Sequence, residues 1–214
     1  MGPGGGYAGR MSPRRRRLTI WLAVVVVLLG GATAVAVHEG AVGFVRTWWN
    51  NRDRAYPDLD TTALGPTQKR IVTVTRAEFD AQPPGTKYSE GVDEEWCADF
   101  VSWVMRESGV PFENPFSGHW RIPGVYTLTE YFQSQGRFRA ADSGYRPVLG
   151  DVMLYSTKSF FRQHTNIVLD YSDGEVTTVG GNEWGGHVKV NRFRIGGYVG
   201  LVGYGVLPSK RAAE

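Results

Sequence analysis

Glu94-Glu95-Trp96-Cys97-Ala98-Asp99-Phe100-Val101-Ser102-Trp103-Val104 decides how the rest of this chain is read. Phe100, Val104 and Met105 recur about one turn apart, and Trp96 and Trp103 flank the same apolar stripe, so the spacing predicts a helix. Glu94 and Glu95 come just before it, where negative charge suits a helix N-terminus, and Gly109 is the expected C-terminal stop. Cys97 is the only cysteine. It falls in the first turn, where unpaired backbone N–H groups favour a thiolate. Glu94, Glu95 and Asp99 oppose that ionisation by like-charge repulsion, so a cationic neighbour is needed to settle it. A lone cysteine is as a rule a small core hydrophobe, and a nucleophile requires partners from elsewhere in the chain.

Outward from this helix, the apolar pattern changes period. Gln68 to Phe79 reads as a short helix ended by Pro83-Pro84-Gly85, and Val125 to Gln135 as another closed by Gly136. Residues 111–124, with Pro111, Pro115, Gly118, Pro123 and Gly124, read as irregular. Strands are expected at Val152 to Tyr155, from His164 through Ile167 to Tyr171, at Glu175 to Val179, at His187 to Ile195 and at Val199 to Val206. Ser172-Asp173-Gly174 supplies a hairpin turn. Helices first and an antiparallel sheet afterwards is the α+β order. No internal repeat is visible.

The N-terminal quarter is built differently. Residues 1–17 are a tail carrying the arginine block Arg14 to Arg17. Leu18 to Val37 follow without a charged residue. Twenty residues at 1.5 Å rise span about 30 Å, the hydrocarbon thickness, so 18–37 is expected to be a single membrane anchor. The arginine block places the N-terminus in the cytoplasm and the remainder outside. A removable signal peptide is the competing reading, with Ala34-Val35-Ala36 as its cleavage site. Residues 38–65, with Trp48 and Trp49 at the membrane interface, read as a linker, 66–207 as the folded domain and 208–214 as a tail. Of 24 basic and 21 acidic residues, eight arginines and four acids lie in 1–65, leaving 16 against 17 beyond. The domain is close to neutral and lacks a nucleic-acid footprint. With one cysteine, no internal disulfide is possible.

Four histidines are available as a base for Cys97. His38 ends the membrane segment, and His119 sits in the irregular stretch. His164 opens a strand after a loop, which suits a sheet edge facing the cysteine helix, and His187 is its main rival. Asn182 follows the strand that returns beside His164, where its side-chain carbonyl can hold the imidazole tautomer. Nothing comparable stands beside His187.

The motif Trp96-Cys97-Ala98-Asp99-Phe100-Val101, then Gly150-Asp151-Val152, the His164 strand, Gly181-Asn182 and Val202-Gly203-Tyr204-Gly205 resemble the CHAP family. These are cysteine, histidine-dependent amidohydrolases/peptidases of cell-wall enzymes. The resemblance covers roughly residues 66–207. It implies a papain-like α+β fold and hydrolysis of amide bonds in peptidoglycan, with Cys97 as nucleophile, His164 as base and Asn182 as orienting residue. Two positions depart from the family pattern. Gly180 stands where many relatives have an acid, and Gln163 stands where a glycine commonly precedes the histidine. Glu183 is adjacent, but strict strand alternation puts it on the opposite face.

Some members of that family bind calcium beside the cysteine. Glu90, Glu94 and Asp99 fall near those positions without the looping aspartates such a site prefers, so solvated or capping acids are expected and no metal or cofactor. Trp120, Trp184, Phe161 and Gln163 are the candidate substrate contacts, Tyr126 and Tyr131 flank the site in sequence as further ones, and Phe160 to Gln163 form a groove wall. The expectation is a membrane-anchored, outward-facing peptidoglycan hydrolase. The rival is an inactive cell-wall scaffold with cell-envelope protein partners, motivated by the missing acid at Gly180.

Overall fold

Residues 54–208 are described by a computed structural model, and along them helices precede strands as the periodicity predicts. The predicted anchor 18–37, the tail 1–17, the paired tryptophans and the tail 209–214 lie outside the described residues. Among the described residues no helix is long and apolar enough to cross a membrane.

Three α-helices are seen among the described residues: α1 (Pro66–Ala81), α2 (Cys97–Glu107) and α3 (Val125–Ser134). Proline at the first position suits α1, and Gln68 Oε1 accepts the Gly65 N–H at 3.1 Å. The helix stops at Gln82, whose left-handed φ of 48° precedes two prolines that cannot continue it. A single 3-10 turn, Gly85–Lys87, leads toward α2.

Six strands follow: β1 (Phe138–Ala140), β2 (Val152–Tyr155), β3 (His164–Ser172), β4 (Glu175–Glu183), β5 (His187–Arg194) and β6 (Leu201–Gly205). They form one antiparallel sheet in the order β1-β6-β2-β3-β4-β5. Strand β1 was not expected, because three residues are too few to establish a period; its pairing with β6 defines it. β6 starts at Leu201 rather than Val199, after the turn at 196–200.

Alternation along the strands separates two apolar layers. Val152, Leu154, Ile167, Leu169, Val179, Val188 and Val190 pack in one cluster with Phe100, Val101 and Val104 of α2 and Leu128 and Phe132 of α3. Met153, Tyr155, Val168, Val176, Phe193 and Tyr204 form the second cluster on the other face. With both faces covered, β2 is buried along its whole length. At the start of β2 the Gly150-Asp151 pair is structural. Buried Asp151 accepts the Tyr145 hydroxyl at 2.8 Å and the Val148 and Leu207 N–H groups at 2.9 and 3.3 Å. Gly150 holds a φ of 96° with Leu207 and Ile71 against it.

The stretch read as linker does not end where the domain begins. Tyr56 is buried, its hydroxyl 2.7 Å from Thr75 Oγ1, its ring edge-on to Phe79 and beneath the Arg76 guanidinium. Leu59 and Leu64 also pack on the core, so 54–65 belong to the folded unit although they form no helix or strand.

Candidate active site

The first turn of α2 rests on the end of β4 because Gly181 has no side chain. A Cβ there would run into Trp96 and Phe100. Trp96 is held from its other side by stacking on Tyr88, ring centroids 5.2 Å apart. This close approach brings Cys97, buried at the start of α2, to His164 at the start of β3, with the thiol in hydrogen-bonding reach of the imidazole. His164 is buried with its ring stacked against Phe161 at 5.6 Å and Tyr155 at 6.4 Å.

The other partner of the imidazole is Glu183, not Asn182. Glu183 Oε1 lies 3.0 Å from His164 Nε2, and both groups are buried, which leaves Nδ1 for the thiol. The reason is a β-bulge. Gly180 pairs with Lys189 and Glu183 with His187, so three steps along β4 match two along β5. The extra residue reverses the alternation beyond it. Asn182 takes a left-handed φ of 53° inside the bulge, and Glu183 returns to the face of Gly180. Its carboxylate fills the space a side chain at Gly180 would occupy, beside Asn166. Asn182 points instead across the cleft and donates its amide N–H to Glu95. The Gly180-Gly181-Asn182 run was the available signal, since strand glycines mark bulges and asparagine tolerates the left-handed region.

Burial alone would lower the His164 pKa, but the Glu183 charge and the hydrogen bond to Cys97 outweigh it and raise it to about 10. At neutral pH the ring is an imidazolium, held between Glu183 and Cys97. Burial, with the Glu183 charge added, also holds the nearby Tyr198 hydroxyl well above the usual phenol range.

On the opposite side of Cys97, Arg121 comes from the Pro/Gly-rich stretch into the acids beside α2. Its Nε is 2.7 Å from Asp99 Oδ1, and its guanidinium also pairs with Glu94. The Asp99 side chain is 0% exposed. Burial, with the Glu90 charge added, pushes its carboxyl up to about 7. Glu90 itself faces His119, Oε1 to Nε2 3.9 Å. These acids do not fit a calcium site, because the arginine stands between two of them and supplies their positive charge. Arg121 has no periodic signature, which is why sequence reasoning misses it.

The array opens on a cleft of about 470 Å³ lined by Cys97, His164, Glu95, Asn182, Pro123 to Val125, Thr157 and Phe161 to Gln163. A second lobe of about 270 Å³ continues past His164 and Glu183 to Phe160, Trp184 and Gly185. Of the predicted contacts, Phe161, Gln163 and Trp184 line these lobes, and Trp184 is 50% exposed. Trp120 does not line them; its ring lies under the Arg106 guanidinium at 4.1 Å. Tyr131 is a core residue against Phe112, and Tyr126 is exposed. His187 is exposed at the start of β5, one register step past the bulge.

Residues 87–182 match the family model of the CHAP domain, the family that the motifs around Cys97 resemble. Glu183 lies one residue beyond that match. No curated protein matches the chain. Among solved structures, the chain is similar to "The crystal structure of Ly7917" at 18% identity and a TM-score of 0.42, covering 64% of this chain and 61% of that one.

Proposed function

We propose, on the premise of the CHAP domain at residues 87–182, that this chain is a cysteine hydrolase cleaving amide bonds in peptidoglycan through Cys97, His164 and Glu183. The observation that carries the reading is a buried array on a cleft wall, with Cys97 beside His164 and Glu183 hydrogen-bonded to the far side of its ring. A nucleophile helix laid against a histidine strand also agrees with the papain-like plan that the family resemblance implies.

The thiolate sulfur attacks the amide carbonyl carbon, a C–S bond forms, and the carbonyl π electrons move onto oxygen. The Cys97 N–H, at the first position of α2, has no acceptor within the helix and can donate to that oxyanion. Collapse re-forms the carbonyl and breaks the C–N bond, and the leaving amine takes the imidazolium proton. Water then attacks the thioester while His164 accepts its proton. The acid departs, and the thiolate–imidazolium pair is restored. Glu183 keeps Nε2–H oriented and balances the imidazolium charge throughout. Asn182, paired with Glu95, shapes the cleft mouth.

In this reading the span 18–37 is a single uncleaved anchor that holds the hydrolase on the outer face of the membrane. The rival scaffold reading rests on the missing acid at Gly180, and the Glu183 carboxylate over Gly180 removes that motive. Digestion of purified cell wall tests the proposal. Cys97→Ser should abolish release of muropeptides, and fast alkylation of Cys97 at neutral pH should slow when His164 is replaced by alanine. Wild-type digestion by Cys97→Ser would refute it.

A further inference from the structure

We propose that Arg162 determines specificity, its guanidinium receiving a carboxylate of the substrate peptide beside the scissile amide; the inference rests on the hydrolase reading above. Arg162 lies two residues before His164 and lines both lobes of the cleft. Its backbone is in the left-handed region, φ 58°. That conformation is strained for a non-glycine residue and is kept where surrounding structure enforces it, commonly at ligand sites. Here the enforcement is visible. The Arg162 N–H donates to Ser159 O at 2.9 Å, and the hydroxyl of buried Ser159 donates back to Arg162 O at 2.6 Å.

Among the described residues the Arg162 side chain makes no hydrogen bond or ion pair that would repay this strain. Among the described residues no carboxylate lies within ion-pair distance of Arg162. Glu95, the acid on the Cys97 cleft wall, is engaged by Asn182, and Glu183 is buried on His164. The cleft therefore presents one guanidinium whose neighbouring acids are already paired. A planar guanidinium binds a carboxylate in two parallel hydrogen bonds, a geometry a lysine does not reproduce. Peptide stems carrying free carboxylates next to the cleaved bond are the substrates this arrangement selects.

The test compares wild-type, Arg162→Gln and Arg162→Lys proteins on two soluble stem peptides, identical except that the carboxylates are free in one and amidated in the other. Charged hydrogen bonds of this kind correspond to about 10- to 100-fold in affinity. Wild type should prefer the free-acid peptide by that factor in kcat/KM. Arg162→Gln should lose the preference through KM, and Arg162→Lys should recover part of it. Preference retained in Arg162→Gln, or an equal fall in kcat on both peptides, overturns the proposal. If wild type hydrolyses neither peptide, the hydrolase reading fails on its own. Calorimetric titration of the free-acid peptide into wild-type and Arg162→Gln proteins then decides Arg162, and equal Kd values overturn its role. Circular dichroism confirms that each variant is folded.

Discussion

Replacing Glu183 by glutamine removes one charge while leaving shape and an acceptor oxygen in place, so it isolates what the carboxylate does to His164. The imidazole rises from 6.5 to about 10 against the opposing effect of burial. The rise to about 10 corresponds to about 5 kcal/mol at 1.36 kcal/mol per unit, a net figure that Glu183 and Cys97 together exceed because burial opposes them. Glu183 is the larger raising influence, so Glu183→Gln should bring the His164 pKa down and lower kcat on the order of 10²- to 10³-fold. The sign of the stability effect follows by linkage. A histidine raised on folding contributes stability that is fully present below its unfolded value of 6.5 and is lost as pH climbs through about 10. Wild-type stability to urea should therefore fall between pH 6.5 and 10, and the fall should be shallower in Glu183→Gln. Proton NMR of the His164 ring, urea unfolding across that window and turnover at pH 7 check the three parts. Identical pH slopes in the two proteins, or a greater loss of activity in Asn182→Ala than in Glu183→Gln, would refute the assignment of Glu183.

Three further outcomes follow from the same geometry. Gly180→Asp should displace the Glu183 carboxylate and lower activity, while Gly180→Asp combined with Glu183→Ala should regain part of it by restoring one carboxylate on that face; muropeptide release measures both. Arg121→Gln should destabilise the protein by about 3 kcal/mol, because Asp99 is left buried without its cation, and Asp99→Asn in addition should recover much of that loss in urea unfolding. Gly181→Ala should cost about 1–3 kcal/mol and slow Cys97 alkylation, since a methyl there pushes Trp96 and the start of α2 away from His164.

Much of the framework is legible in the chain because it follows from local periodicity. The three helices, the Ser172-Asp173-Gly174 hairpin and the α+β order come from apolar spacing and turn residues, which act between neighbours in sequence. So does the candidacy of Cys97, placed in a first helical turn, and of His164 at the opening of a strand. Trp120 and Trp184 look alike as sequence. One packs beneath Arg106 and the other faces the cleft, a difference that depends on where separate loops settle.

The charge partners of the site belong to the tertiary structure. Arg121 reaches Asp99 from 22 residues away along an irregular stretch, where no period exists to report it. Glu183 is placed by a single extra residue in β4, which reverses the side on which every later side chain emerges. The sequence by itself determined the helix of Cys97, the strand of His164 and the order of elements, because backbone propensity and burial patterns are local. Which carboxylate holds the histidine was decided by pairing register between strands, a property of two segments together that neither contains alone.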